Sequence, residues 1–112
     1  MDRGEIYLGP SLYSNLAGSK RRPLCIVSTP AYNAGPDVVL AMISSGRRVT
    51  APWLGDVAVS DWQQAGLLRP SVIRTGRLQT LEQRLLSSRR GVLSPSDIAA
   101  VDQALKGVLG LS

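Results

Sequence analysis

The chain predicts a small α+β domain built on one curled sheet, and three features carry that reading. Short apolar runs bounded by glycine, proline, asparagine and serine recur over residues 4–93, the pattern of strands joined by turns. Two of these runs, Leu24 to Val27 and Val38 to Ile43, are apolar at consecutive positions. Both faces of such strands are usually covered. A capped amphipathic segment from Ser94 to Leu109 follows the strands. Short strands followed by one helix fit a sheet that curls and packs against that helix.

Taken in order, Gly4 to Leu8 (GEIYL) reads as a first strand, with Gly9-Pro10 ending it. Residues 9–20, GPSLYSNLAGSK, read as a loop long enough to suggest function or mobility, and it holds no GxxxxGK[ST] phosphate loop. The second strand is expected from Arg22 to Ser28. Pro23 cannot donate a ladder hydrogen bond, so it belongs at the strand start or on an edge. Leu24 and Ile26 share one face, Cys25 and Val27 the other. A turn rich in Pro, Asn and Gly leads to the next strand. There Val38, Leu40, Met42 and Ser44 share a face, so Ser44 carries an apolar face to its polar rim.

Gly46 to Gly55 (GRRVTAPWLG) reads as a second loop and Asp56 to Ser60 as a short strand. Asp61 to Gly66 reads as one helical turn ended by glycine. Ser71 to Arg74 is expected as a strand, Gly76 as a turn, and Arg77 to Gln79 as a further strand. Thr80 is placed to cap a short helical turn through Leu81 and Leu85, and Arg90 to Leu93 reads as the last strand. Ser94-Pro95-Ser96-Asp97 starts a helix: serine can cap, proline fits the first helical position, and aspartate suits the positive end. Ile98, Val101, Leu105 and Val108 then recur at helical spacing, and Leu109 widens the stripe.

A length of 112 residues suits one domain, and a hydrophobic content of 44% supplies a real core, although a chain of this size can lean on a partner chain. No apolar run approaches a bilayer span, and the N-terminus lacks a signal peptide's apolar region and cleavage site, so a cytoplasmic protein with no membrane partner is expected. The formal charge is +5, and every basic residue except Lys106 precedes Gly91. Such an excess suits a polyanion such as nucleic acid. The absence of histidine removes the Ser-His-Asp triad, histidine-paired nuclease sites and most zinc sites, and no metal or other cofactor is expected. Cys25, the only cysteine, lies inside an apolar strand run and reads as a buried structural thiol.

The chemistry concentrates between Lys20 and Ser45. A basic triplet, Lys20-Arg21-Arg22, runs into Pro23 and one strand, and the next ends in Ser44-Ser45. If those ends meet, a guanidinium and a hydroxyl face one pocket, which suits a phosphate or its transition state. Arg47, Arg48 and Trp53 combine cations with an aromatic, a pairing that grips single-stranded nucleic acid by charge and stacking. A solvated turn with one packing tryptophan accounts for the same residues. Asp37 and Glu5 are conceivable bases, but both stand at strand beginnings, where charged residues commonly meet solvent.

Several short pieces, in order, resemble the MazF/PemK-type toxins of bacterial toxin–antitoxin systems over nearly the whole chain. They are Arg3-Gly4-Glu5-Ile6, the Arg22-Pro23 strand with Val27-Ser28, and Asn33-Ala34-Gly35. Ala41-Met42-Ile43-Ser44, Gly66-Leu67 and Ser71-Val72-Ile73-Arg74 follow, then Gly91-Val92-Leu93-Ser94 with the final helix. The resemblance implies one domain over residues 1–112, an SH3-like β-barrel (MazF/PemK/CcdB-like) with short helices and a C-terminal amphipathic helix. It implies a homodimer and a metal-independent endoribonuclease that cuts single-stranded RNA at short sequences. It also implies an antitoxin protein that lays an acidic, partly disordered tail across the basic groove.

The family's Arg-Pro arginine falls on Arg22 and its strand-end hydroxyl, often threonine, on Ser44. An arginine used by PemK-type members matches Arg74. Their aspartate two residues later is Gly76 here, and their first-loop histidine has no counterpart. The resemblance thus implies catalytic roles for Arg22, Ser44 and Arg74. Arg22 would clamp the phosphate and stabilise the transition state, Ser44 would orient the phosphate or the 2′-OH, and Arg74 would be a second cation on the same anion. Lys20, Arg21, Arg47, Arg48, Trp53 and Arg77 are the expected RNA-binding set. The competing reading is a non-catalytic barrel that binds RNA or protein. In it Arg22 is an exposed strand-end charge, Ser44 a hydroxyl satisfied by backbone, and Arg74 one arm of a salt bridge.

Overall fold

The computed structural model describes residues 1–12 and 21–112. Its strands are β1 (Glu5–Pro10), β2 (Arg21–Ile26), β3 (Asp37–Ser45), β4 (Asp56–Ala58), β5 (Ser71–Glu82) and β6 (Arg89–Val92). Its helices are α1 (Pro30–Asn33), α2 (Arg47–Thr50) and α3 (Pro95–Leu109). The strands form one antiparallel sheet in the order β4-β5-β3-β2-β1-β6. This is the expected α+β, barrel-like architecture. β4 and β6 are not joined by a ladder. The turn that leaves β4 closes the gap instead, because Gly66 packs directly on the backbone of Arg90 and Gly91 in β6.

Side-chain alternation in β2 and β3 divides the core as the sequence suggests. Leu24, Ile26, Val38 and Leu40 form one buried cluster. Cys25, Ala41 and Ile43 point the other way, into a larger cluster with Ile6, Ile73, Leu93 and Val101. Both faces are therefore covered, and each fully buried aliphatic side chain contributes about 1.5–3 kcal/mol. Burial pushes the Cys25 thiol up to about 12, in keeping with a structural role. α3 covers the larger cluster through buried Val101 and half-buried Ile98 and Leu105, but the expected stripe loses its last turn, since Val108 and Leu109 are exposed.

Several local expectations are corrected. β1 does not stop at Leu8 but runs through Gly9 to Pro10, because Gly9 pairs with Arg22 and Pro10 with Arg21 on β2. The turn before β3 contains α1, capped by Thr29 with Pro30 at its first position, and the loop after β3 contains α2. The separate strands, the turn at Gly76 and the Thr80 cap are replaced by the single strand β5. Its partner β3 pairs Ala41 with Leu78 and Met42 with Arg74, so residues 75–77 bulge out, and Thr80 pairs with Val39 instead of capping a helix. The bulge also pins a loop: the Thr75 amide and hydroxyl both donate to the Gly55 carbonyl, at 3.2 and 2.6 Å.

At the start of α3, the Ser94 hydroxyl accepts from the Asp97 amide. The Asp97 carboxylate, 4% exposed, accepts from the Ser60 amide (3.1 Å), the Ser60 hydroxyl (2.6 Å) and the Asp61 amide (3.4 Å). It thereby holds the chain as it leaves β4. Burial alone would raise the Asp97 carboxyl, but these hydrogen bonds outweigh burial and hold it below the usual carboxylate range. A depressed folded value means stability that is present above the unfolded pKa of about 3.9 and lost as pH falls through the folded value. Glu5 and Asp102 are depressed too and act on the same limb. Asp97→Asn should therefore reduce the fall in unfolding free energy below about pH 4 without abolishing it, and should cost about 1–3 kcal/mol at pH 7. Denaturant unfolding from pH 3 to 7 checks both; curves that superimpose on the parent's would show that Asp97 carries neither effect.

Candidate active site

Arg22 and Ser44 come together because β2 and β3 are neighbours. The ladder pairs Leu24 with Met42 and Ile26 with Leu40, and continuing it by two residues sets Arg22 opposite Ser44. Both line a groove of about 770 Å³. Pro23 lies on β2 beside β1 and β3, yet β2 reaches β3 only from Leu24 onward, so the missing amide costs no bond there. Arg22 is exposed and Ser44 half-buried. Among the described residues neither side chain has a hydrogen-bond or ion-pair partner, so guanidinium and hydroxyl are both free for a ligand.

The other expected residues are distributed differently. Arg21 lines the same groove, but its Nε donates to Ser87 Oγ at 3.0 Å and its terminal nitrogen to the Leu85 carbonyl, which fastens β2 to the chain before β6. Lys20 lies outside the described residues. Arg74 sits on β5 opposite Met42, one same-face pair along from Ser44–Val72, yet its guanidinium turns onto Asp56 at 3.3 Å. Asp56 also accepts from the Trp53 amide at 2.8 Å and lies 3.8 Å from Arg48. Arg74 therefore lines a second depression of about 400 Å³, with Trp53 and Arg77, apart from the Arg22–Ser44 groove. Trp53 is 71% exposed, which removes the packing reading of that ring. Arg47 is exposed on α2 and lines neither depression. Glu5 is occupied by the Asp2 amide and by Arg89, each at 2.7 Å.

Sequence reasoning missed Arg69 and Arg90, which line the same groove as Arg22 and Ser44. Four arginines and no carboxylate line this groove, so its field favours an anion. The missed pair is brought there by the Gly66 turn and by β6, more than twenty residues from Ser44 along the chain. The Arg89-Arg90-Gly91 run was the available signal, since a basic pair beside a glycine can mark an irregular strand.

A curled sheet with a guanidinium and a hydroxyl at one end of adjacent strands, set in a cationic groove, defines a class of small anion-binding domain. The model of the PemK-like, MazF-like toxins of type II toxin–antitoxin systems matches residues 2–109, and the chain belongs to that family. It is 34% identical to the endoribonuclease MazF2 of Mycobacterium bovis, over 99% of this chain and 98% of that protein. The identity and coverage are the same for the endoribonuclease MazF6 of Mycobacterium tuberculosis. Among solved structures, a mycobacterial endoribonuclease in complex with its cognate antitoxin matches with a TM-score of 0.77 and 28% identity, covering 100% of this chain and 97% of that one. The MazE–MazF complex of Deinococcus radiodurans matches at TM-score 0.75 and 19% identity, a likeness of fold.

Proposed function

We propose that this chain is the toxin of a toxin–antitoxin pair and acts in the cytoplasm as a metal-independent, sequence-specific endoribonuclease on single-stranded RNA. The carrying observation is the unpartnered Arg22 guanidinium beside the Ser44 hydroxyl in a groove lined by arginines and no acid. In this reading the 2′-OH attacks its own phosphorus and gives up its proton, the bond to the 5′-oxygen breaks, and that oxygen leaves with a proton. Charge builds on the phosphorane oxygens. A planar, permanently charged guanidinium suits that charge better than a point charge does. Ser44 orients the phosphate or the attacking hydroxyl. Arg74, tied to Asp56, supports the frame from the second depression rather than the anion directly.

Two copies pair, and the acidic tail of an antitoxin covers the arginine-lined groove, consistent with the +5 charge. A sedimentation mass of one 12.0 kDa chain at micromolar concentration would contradict the pairing. Failure of the neighbouring short reading frame's product to co-purify or to rescue growth would contradict the antitoxin. The test of the enzyme is incubation with a mixed single-stranded RNA in excess EDTA. Cleavage should leave a 2′,3′-cyclic phosphate upstream and a 5′-OH downstream, and a 2′-deoxy substitution at the cut nucleotide should block it. Activity only with added Mg²⁺, leaving a 5′-phosphate, would overturn the mechanism. The engagement of Arg74 by Asp56 favours a second reading, a barrel that binds RNA without cutting; binding with no products in this assay would select it.

A further inference from the structure

We propose that Arg69 and Arg90 form a second phosphate subsite, which holds the phosphodiester next to the one clamped by Arg22; this rests on the nuclease reading above. The groove is larger than one phosphoryl group needs: at about 770 Å³ it has the size of a site for a drug-sized molecule, about 300–1,000 Å³. Arg22 and Ser44 line it from β2 and β3, Arg69 and Arg90 from the segment after the Gly66 turn and from β6. The Arg69 and Arg90 side chains are both exposed, and neither has a hydrogen-bond or ion-pair partner among the described residues.

The backbone aims them. Along the β1–β6 ladder, Ile6 pairs with Gly91 and Tyr7 with Arg89, so Arg90 is the residue that the register skips. A bulge re-aims the side chain it carries. Arg89 is held on Glu5, while Arg90 is released toward the groove. Arg69 follows the Gly66 turn, whose backbone lies against Arg90 and Gly91, and its own carbonyl accepts from Ser71 Oγ at 2.9 Å. A turn and a bulge that pack on each other therefore bring two free arginines to one groove. A single strand of RNA presents successive phosphates along its backbone. A second pair of arginines in the same groove binds the next one without touching the bond that breaks, so the subsite contributes to binding and register rather than to the chemical step.

The test uses full-length protein and a fluorescent single-stranded RNA with methylated 2′-oxygens, which cannot be cut. Arg69→Ala and Arg90→Ala should each bind it about tenfold more weakly, and log Kd against log salt should flatten by about 0.7 per variant. Arg84→Ala, whose side chain is paired to Glu82, should bind like the parent. Arg69→Lys and Arg90→Lys should recover part of the affinity. On cleavable RNA the alanine variants should raise KM and leave kcat within about twofold. A single neutral methylphosphonate walked along the strand should erase the penalty of both variants at one linkage. Parent-like affinity and salt slope in both alanine variants, with melting temperatures unchanged, would overturn the subsite while cleavage by the parent persists. A parent that binds but never cuts, with the two variants still impaired, would remove the nuclease reading and leave the anion subsite standing. A parent that neither binds nor cuts RNA would remove both.

Discussion

Arg22→Ala should cut RNA more slowly than the parent by a factor on the order of 10²–10³, the loss typical of one charge-assisted donor aimed at a transition state. Its melting temperature should not change, because the side chain is exposed and makes no hydrogen bond or ion pair among the described residues. This separation of rate from stability marks a group that acts on substrate. Arg22→Lys should also be slow, since an ammonium cannot present two parallel donors to two phosphoryl oxygens. Ser44→Ala should lose less, and Ser44→Thr should be tolerated, because a strand end accommodates a β-branched residue and the hydroxyl remains. Single-turnover cleavage rates with thermal melts on the same samples decide the matter. If folded Arg22→Ala cuts as fast as the parent, the chemistry lies elsewhere.

The part of this site legible in the sequence is the part that two neighbouring strands build. Alternation showed that Leu24 and Ile26 share a face and that Ser44 continues the face of Leu40 and Met42. The two strands are consecutive in the chain and pair directly, and pairing brings Arg22 and Ser44 to one end. Arg74 was read correctly as a strand residue, but its charge partner arrives from β4, and no local pattern encodes that Asp56 lies beside it. Gly76 reads as a turn for good local reasons. The strand continues because β3 pairs on both sides of it, and the three extra residues are absorbed as a bulge. Thr80 fails as a cap for the same reason, since its backbone is committed to Val39. Arg69 and Arg90 depend on a turn and a bulge meeting across the gap between β4 and β6, a tertiary event with no periodic signature.

Gly66→Ala should be the most damaging Gly→Ala change among the described residues, costing about 3–5 kcal/mol and lowering cleavage even in the fraction that stays folded. Two penalties coincide there. The backbone sits at φ +86°, where an L side chain is strained. A Cβ at this position would lie 1.9 Å from the Arg90 carbonyl oxygen and 2.6 Å from its carbon, so backbone rather than a flexible side chain must move. β6 cannot retreat freely, because its ladder to β1 and the Arg89–Glu5 pair hold it. The turn cannot retreat either, because Asp97 grips its first residues and buried Ala65 and Leu67 flank the glycine in the core. Whichever side yields, Arg69 and Arg90 shift relative to Arg22 and Ser44. Gly91 meets the same contact from the other strand, 2.3 Å from the Ala65 carbonyl, so enlarging it cannot compensate. Gly107→Ala is the contrast: it lies within α3, has no left-handed φ, and a Cβ there would meet nothing within 4 Å beyond its own stretch of helix, so it should stabilise by about 0.5–1 kcal/mol. Denaturant unfolding of both variants beside the parent reads the two signs. A Gly66→Ala protein as stable as the parent would mean that the barrel does not close through this backbone contact.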